Sequence, residues 1–163
     1  MKNSNKILYS VSGNIAILTI NRPERRNALD AETLEQINIL LDRAESDEKV
    51  RVILITGQGD TFSSGFDLKD QMEKAPRGKQ WKPILELDHR TIMRFWNSPK
   101  PTIAAVRGAC LAGGFELSLA CDFTICSKDS FFGEPELKFG AGIVTMLLPL
   151  SLIHISEPTR PRL

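Results

Sequence analysis

The sequence predicts a mixed α/β fold, because short apolar segments of β type alternate with segments of helical periodicity. Residues 14–20 and 50–56 are rich in Ile, Val and Leu, and apolar residues recur at helical spacing between them. Residues 102–106 form a third apolar segment, which a glycine-containing turn joins to an apolar helix. A strand, a helix and a second strand in this order indicate a crossover unit of a parallel sheet.

The elements around the first crossover follow from local signals. The first strand ends at Asn21-Arg22-Pro23, because proline has no N–H for ladder pairing. Asp30 is placed to cap a helix that runs to about Glu45. The apolar face of that helix consists of Leu34, Ile37, Leu41 and Ala44. The segment 50–56 is almost continuously apolar, as expected for a strand covered on both faces.

Three glycine-containing stretches follow this strand. Gly57-Gln58-Gly59 superficially suggests a dinucleotide fingerprint, but no third glycine stands three residues later and no helix opens there, so a Rossmann site is not predicted. Residues 63–67, taken alone, predict a tight turn. Residues 70–82 are polar and contain proline and glycine, which predicts a mobile surface loop of the kind that covers pockets.

The second half of the chain is predicted to alternate helices and strands. A helix begins at Pro83 and ends before Pro99, with His89 on its wetter side. Its apolar face consists of Leu85, Ile92 and Trp96. A buried strand at 102–106 is followed by a core helix from Gly113 to about Cys121 and by a strand at 122–126.

The cysteines are predicted to be buried free thiols. Cys110, Cys121 and Cys126 are odd in number and lie in apolar settings without metal-type spacing beside histidines.

Composition and charge exclude several classes of protein. The 163 residues are of single-domain size, with 42% hydrophobic and 25% charged residues, as in ordinary soluble proteins. The 21 basic and 20 acidic residues leave no basic excess for nucleic-acid binding. No run of eighteen apolar residues occurs, and the segment after Met1 is too short for a signal peptide. These features predict a cytoplasmic protein without a nucleic-acid or membrane partner.

The stretch 107–116 carries the strongest chemical indication. Gly113-Gly114 opens an apolar helix and leaves unpaired N–H groups at the positive end of its dipole. Glu116 lies in the first turn of that helix, and Glu136 supplies a carboxylate twenty residues further on. Two carboxylates beside a carbonyl whose oxygen is held by amides could move protons at the neighbouring carbon. The pattern indicates enolate chemistry.

Several motifs occur in a fixed order along the chain. They are Asn21-Arg22-Pro23 with Asn27-Ala28-Leu29, Phe62 to Leu68, Lys100 to Val106, Arg107 to Glu116, and Glu134-Pro135-Glu136. In this order and spacing they resemble the motifs of the enoyl-CoA hydratase/isomerase (crotonase) family, from about Gly13 to about Leu148. The resemblance implies a crotonase-like spiral of ββα units that is incomplete at the C-terminus.

The resemblance also implies roles for individual residues. The activity would be that of an acyl-CoA hydratase, a lyase that adds water across a 2-enoyl-CoA double bond or removes it to form one. The backbone amides of Phe66 and Gly113 would hold the oxygen of the thioester enolate. Glu116 would orient and deprotonate the water, and Glu136 would deliver the proton to the alpha carbon. Glu134 matches no catalytic position and is interpreted as a solvated residue or a cap.

Coenzyme A is expected to lie along two stretches, as part of the substrate. The residues implied in its binding are Arg25, Asn27, Ala28, Ser64, Gly65, Asp67 and Leu68. Arg25 and Arg26 could approach the phosphates or could be solvated side chains. No metal, flavin or nicotinamide is implied. Val144, in place of a glycine near the acyl pocket, and the bulky Phe115 leave the acyl group open.

Two alternatives remain at this stage. An enoyl-CoA isomerase of the same fold needs only one well-placed base. A non-catalytic acyl-CoA- or phosphate-binding module would use Gly113 and the helix N-terminus as an anion site, and Glu136 would then lie away from the pocket.

The sequence after Pro149 resembles the translation of a transposase adapter used in preparing sequencing libraries. We therefore expect residues 1–149 to be the N-terminal core and 150–163 to be a non-native tail, in which His154 carries no chemistry. Full-length relatives are expected to form a homotrimer or a dimer of trimers, and the sequence leaves trimer formation by this chain open. Without a C-terminal helical region we expect low solubility, partial folding and little turnover.

Overall fold

The computed structural model describes residues 5–139 and residue 147. The strands are Ile7–Ser12 (β1), Ile15–Ile20 (β2), Val52–Gly57 (β3), Thr102–Val106 (β4), Ala109–Leu111 (β5), Phe123–Cys126 (β6) and Phe131–Gly133 (β7). The helices are Ala31–Ser46 (α1), Leu68–Lys74 (α2), Trp81–Trp96 (α3) and Gly113–Ala120 (α4). Single 3-10 turns lie at Pro23–Arg25, Gly78–Gln80 and Pro135–Phe139. Val144 and the predicted tail at 150–163 lie outside the described residues.

Five strands form the main sheet in the order β1-β2-β3-β4-β6. The β1 strand runs antiparallel to β2, and the later strands are parallel to one another. The strands β5 and β7 pair in a separate two-stranded parallel sheet. The predicted α/β class with helical crossovers is confirmed. The β1 strand was not predicted from the sequence.

The core lies between one face of the main sheet and the helices α1 and α4, and α3 packs on both of these helices. Its sheet side is formed by Ala16, Leu18, Ile20, Ile53, Ile55, Ala104 and Val106. Leu54 and Ile103, on the opposite face, are only half-buried. The prediction that the strand at 50–56 is covered on both faces is therefore wrong for the described part of the chain.

The α1 helix begins as predicted. The Oδ1 atom of Asp30 accepts hydrogen bonds from Thr33 N at 2.8 Å and Thr33 Oγ1 at 2.7 Å. A cap of this kind stabilises a helix by about 1 kcal/mol. The four apolar residues predicted to share a face are all buried.

The predicted mobile loop at 70–82 is wrong, because most of this segment is helical. Asp67 caps α2 by accepting a hydrogen bond from Asp70 N at 3.2 Å. Lys74 then pairs with Asp70 at 2.7 Å across one helical turn. These local polar contacts form a helix although α2 has no buried residue.

The α3 helix buries a different set of side chains from the one predicted. Ile92 is buried, but Leu85 and Trp96 are 44% and 43% exposed. The buried residues of α3 lie between its middle and its C-terminal end, from Asp88 to Phe95. In this part Asn38 Nδ2 of α1 donates to Thr91 Oγ1 at 2.7 Å. His89 is exposed, as predicted.

The β6 strand lies at the edge of the sheet, and its four residues are exposed. Cys126 is therefore exposed, and the prediction that it is buried is wrong. Cys110 and Cys121 are buried, as predicted. Phe123 and Ile125 are 64% and 63% exposed. Across the described residues, the helices are too short or too polar to cross a lipid bilayer.

Candidate active site

The tight turn at 63–67 is held by hydrogen bonds from two sides. Ser63 Oγ donates to Asn27 O at 2.9 Å and accepts from Gly65 N at 3.1 Å. Leu29 N donates to Gly65 O at 2.8 Å, and Asp67 N donates to Leu29 O at 2.9 Å. The turn is thereby fixed against the segment that precedes α1.

Phe66 and Gly113 lie in contact where this turn meets the start of α4. A Cβ atom added to Gly113 would lie 2.5 Å from the Phe66 ring, and one added to Gly65 would lie 2.4 Å from the Cβ of Ala112. Within the described part of the chain, neither the Phe66 N–H nor the Gly113 N–H donates a backbone hydrogen bond. An oxyanion hole needs two unpaired N–H donors that lie close together in space, and Phe66 and Gly113 supply such a pair.

The chain reaches Gly113 through a strained residue. Ala112 has φ 55° and ψ −133°, a combination that non-glycine residues rarely adopt. Its N–H donates to Gly133 O at 2.8 Å, which ties the start of α4 to the end of β7. The same bond brings the residues after β7 towards α4.

Three carboxylates meet beside this junction. Glu116 is completely buried in the first turn of α4. Glu134 follows β7, and Glu136 lies in the next 3-10 turn. One carboxylate oxygen from each residue lies within 4.8 Å of the others. The structure therefore brings Glu116 and Glu136 together.

Glu134 is part of this carboxylate group, which corrects its interpretation as a solvated residue or a cap. Burial, followed by repulsion from Glu136 and Glu116, raises the pKa of Glu134 to about 8. The Oε2 atoms of Glu134 and Glu136 are buried without a hydrogen-bond partner in the described part of the structure. The group relieves part of its mutual repulsion by holding a proton.

Carboxylate oxygens at this spacing are also the donors that a hard divalent cation accepts. The absence of a metal remains a prediction.

The turn at Gly57-Gln58-Gly59 is packed against the chain, since a Cβ on Gly57 would lie 2.3 Å from Thr61 O. The absence of a dinucleotide cofactor remains a prediction.

The two stretches expected to bind CoA lie side by side, because Ser64 N donates to Arg26 O at 3.0 Å. Asn27 is fully buried, and its side chain is engaged within the protein. Its Oδ1 accepts from Arg22 N at 3.0 Å, and its Nδ2 donates to Thr61 O at 2.6 Å. Its backbone is engaged as well, because Asn27 N donates to Arg22 O at 2.8 Å and Asn27 O accepts from Ser63 Oγ. Asn27 therefore shapes this stretch from within the protein, and its contact with CoA remains a prediction.

The remaining residues of these stretches differ in accessibility. Arg25 pairs with the buried Asp67 at 3.2 Å, while Arg26 is exposed in a left-handed conformation. Ala28 and Gly65 are buried, Ser64 is half-buried and Leu68 is exposed. The structure thus brings the stretches together but directs the Arg25 guanidinium towards Asp67.

Asp88 is a candidate site residue that sequence reasoning missed. It lies on α3, is 4% exposed, and its Oδ2 has no hydrogen-bond partner among the described residues. Burial, with a smaller contribution from Glu116, raises the pKa of Asp88 to about 7. The available signal was its spacing, because Asp88 stands four and seven residues before the buried Ile92 and Phe95.

Comparison with known proteins identifies the family. The family model described as enoyl-CoA hydratase/isomerase matches residues 10–150, and the chain belongs to that family.

Individual relatives agree with this assignment. The chain is 39% identical over 137 residues to "Probable enoyl-CoA hydratase" of Bacillus subtilis, covering 83% of this chain and 52% of the relative. It is 33% identical over 138 residues to the short-chain-enoyl-CoA hydratase of Clostridium acetobutylicum, with the same coverage of 83% and 52%. The chain spans about half the length of the curated relatives it matches.

A solved structure confirms the fold. The crystal structure of an enoyl-CoA hydratase/isomerase from Xanthobacter autotrophicus Py2 is 60% identical and superposes with a TM-score of 0.89. The match covers 90% of this chain and 55% of the Xanthobacter chain.

Proposed function

We propose that this chain carries the acid–base site of an acyl-CoA hydratase that interconverts a 2-enoyl-CoA and its hydrated product. The observation that carries the proposal is the convergence of Glu116 and Glu136, with carboxylate oxygens within 4.8 Å, near the contact between Phe66 and Gly113. A single bound thioester can therefore meet both the carboxyl groups and the backbone N–H donors.

In the proposed reaction the thioester oxygen accepts hydrogen bonds from the N–H groups of Phe66 and Gly113. These bonds strengthen as the carbonyl becomes an enolate, and the loss of one comparable donor costs about 3 to 4 kcal/mol in other enzymes. Glu116 takes a proton from a water molecule whose oxygen bonds to the beta carbon. Glu136 gives a proton to the alpha carbon, so that the elements of water are added across the double bond.

Two rival functions make different demands on the site. A non-catalytic anion-binding module would have Glu136 away from Glu116, and their separation disfavours it. An isomerase needs only one base, whereas Glu116 and Glu136, the two acids that hydration needs, both belong to the carboxylate group here. The name of the Clostridium acetobutylicum relative, a short-chain-enoyl-CoA hydratase, also supports hydration.

The proposal includes the setting of the protein. The substrate is an acyl-CoA thioester, and coenzyme A is required only as part of it. We place the protein in the cytoplasm, with residues 1–149 as the family core and 150–163 as a non-native tail. A homotrimer or a dimer of trimers is proposed for the full-length relative.

Substrate conversion tests the proposal. The chain as it stands, and the same chain continued after residue 149 with the C-terminal part of the Xanthobacter protein, are each incubated with 2-enoyl-CoA and with 3-enoyl-CoA. A hydratase converts 2-enoyl-CoA to a hydroxyacyl-CoA, detected by mass as the gain of one water. Movement of the double bond alone would identify an isomerase, and binding without conversion by either protein would favour the non-catalytic module.

A further inference from the structure

A cavity of about 400 Å³ lies between the start of α1, α2 and α3. Its volume is within the range of small-molecule pockets. Leu29 and Asp67 are part of its wall, and these residues flank the turn that carries Phe66. The cavity therefore begins beside one of the two proposed oxyanion donors.

Asp88 borders the same cavity from α3. Its side chain is 4% exposed, and within the described residues nothing hydrogen-bonds its Oδ2. A buried polar oxygen without a partner destabilises a protein unless something else satisfies it. The hydroxyl of Thr91, one helical turn further along α3, is already engaged elsewhere. It accepts from Asn38 Nδ2 at 2.7 Å and donates to Leu87 O at 2.9 Å.

Asp88 also lies near the proposed chemistry. The α3 helix packs on α4, and the charge of Glu116 acts on the Asp88 carboxyl. Asp88 thus borders the cavity on a helix that packs against the one bearing the proposed water-activating acid. An acyl chain that enters the cavity from the Phe66 turn would pass the carboxyl group of Asp88.

We propose that Asp88 is a specificity-determining residue that hydrogen-bonds a hydroxyl group on the acyl chain of the CoA thioester, an inference that rests on the proposed function. A hydroxyl both donates and accepts, so it can satisfy Asp88 Oδ2 whether or not the carboxyl holds a proton. A purely alkyl chain would leave this oxygen unsatisfied.

Binding of saturated acyl-CoA compounds tests the inference, because these compounds cannot be hydrated. Calorimetry would compare butanoyl-, hexanoyl- and octanoyl-CoA with their terminally hydroxylated counterparts, using the chain as it stands and its extended form. At the chain length that reaches Asp88, we expect the hydroxylated compound to bind about tenfold more tightly or better. Equal binding of every pair by the unmodified protein would overturn the inference.

Substitutions of Asp88 and Glu86 test which residue causes the preference for a hydroxylated acyl chain. We expect Asp88→Leu to abolish the preference and Asp88→Asn, which keeps a donor and an acceptor, to retain most of it. Glu86→Leu is the matched control, because Glu86 borders the same cavity on α3 but is exposed. A preference unchanged in Asp88→Leu, or equally lost in Glu86→Leu, would also overturn the inference.

The outcomes separate this inference from the proposed function. Binding of butanoyl-CoA without discrimination between hydroxylated and alkyl chains refutes the role of Asp88 alone. Failure of every acyl-CoA to bind refutes the proposed function and the inference together. Thermal melting of each variant shows whether an altered preference accompanies a loss of folding.

Discussion

Arg22 and Asp67 form a buried ion pair, with 3.0 Å between Arg22 Nη2 and Asp67 Oδ2. The same guanidinium nitrogen lies 3.1 Å from Asp30 Oδ2, and Arg22 Nη1 donates to Ala28 O. Burial acts to raise the pKa of Asp67, but the bond from Asp70 N–H and the arginines outweigh it and hold the pKa below its usual value. Arg22 thus ties the start of α1 to the residue that follows Phe66.

Arg22→Met is expected to lower the free energy of unfolding by about 2 to 3 kcal/mol, because two buried carboxylates lose their common partner. The loss is not larger because Lys6 still pairs with Asp30 and Arg25 with Asp67. Urea unfolding measures the loss. Arg25→Met is the control, because Arg25 meets the same carboxylate but its side chain is 34% exposed, and its removal should cost about 1 kcal/mol or less. Equal losses in the two variants would contradict the role given to burial.

Glu116→Gln and Glu136→Gln are each expected to lower turnover of a 2-enoyl-CoA by about 10² or more and to leave CoA affinity nearly unchanged. Glutamine keeps the shape of the side chain but cannot exchange the proton. Steady-state kinetics on the extended chain checks this, with the exposed Glu48→Gln as control. Unchanged turnover in either site variant would remove that residue from the mechanism.

Glu134 should make stability fall as the pH rises. Burial and the neighbouring carboxylates raise its pKa in the folded state to about 8, above the ordinary value of 4.5. Its contribution is therefore fully present below about pH 4.5 and is lost as the pH rises towards 8. Each such group changes the unfolding free energy by at most about 1.4 kcal/mol per pH unit.

Melting temperatures between these pH values provide the measurement. Glu134→Gln should flatten the decline, and the remaining slope should include the contribution of Asp88, whose pKa is also raised. Glu48→Gln serves as the exposed control. The same pH dependence in the unmodified chain and in Glu134→Gln would show that Glu134 titrates normally.

Ala112→Gly is expected to raise the free energy of unfolding by about 1 kcal/mol. A positive φ of 55° costs about 1 to 3 kcal/mol in residues other than glycine, and glycine removes this cost. Part of the gain is offset because glycine raises the conformational entropy of the unfolded chain. Gly65→Ala should have the opposite effect, because φ is 93° there and the new Cβ would lie 2.4 Å from that of Ala112. Urea unfolding of both variants tests this pair, and a destabilised Ala112→Gly would contradict the assigned strain.

Much of the main sheet and α1 could be predicted because their signals are local. The Asp30 cap and the apolar spacing of α1 lie within one helix, and β2 to β4 are short apolar segments with clear ends. The α2 helix escaped prediction because it buries nothing and forms through a cap and one ion pair. The strand β1 was missed because only Ile7 of its residues is buried.

The candidate site could be predicted only in part, because its members come from distant segments. Phe66, Gly113, Glu116 and Glu136 were proposed through the family resemblance, and the structure brings them close together. Glu134 joins the group because β7 pairs with β5, a contact that local patterns do not reveal. Asp88 depends on the packing of α3 against α4.

Thiol labelling should distinguish the three cysteines in the folded chain. Cys126 is exposed on β6, whereas Cys110 and Cys121 are buried and burial raises the pKa of both thiols. We expect one equivalent of a thiol reagent to react rapidly and the other two to react only on unfolding. Cys126→Ser should remove the rapid phase, and rapid labelling of that variant would contradict the burial of the other two.

The order of the main sheet has a consequence for biosynthesis. Its strands lie in the sequence β1-β2-β3-β4-β6, so that each new strand pairs with the one most recently added to the sheet. As the chain leaves the ribosome, the growing edge is always the latest strand, and no earlier pair must open to admit a later one. Assembly in the order of translation is therefore compatible with this topology, beginning from the local hairpin of β1 and β2.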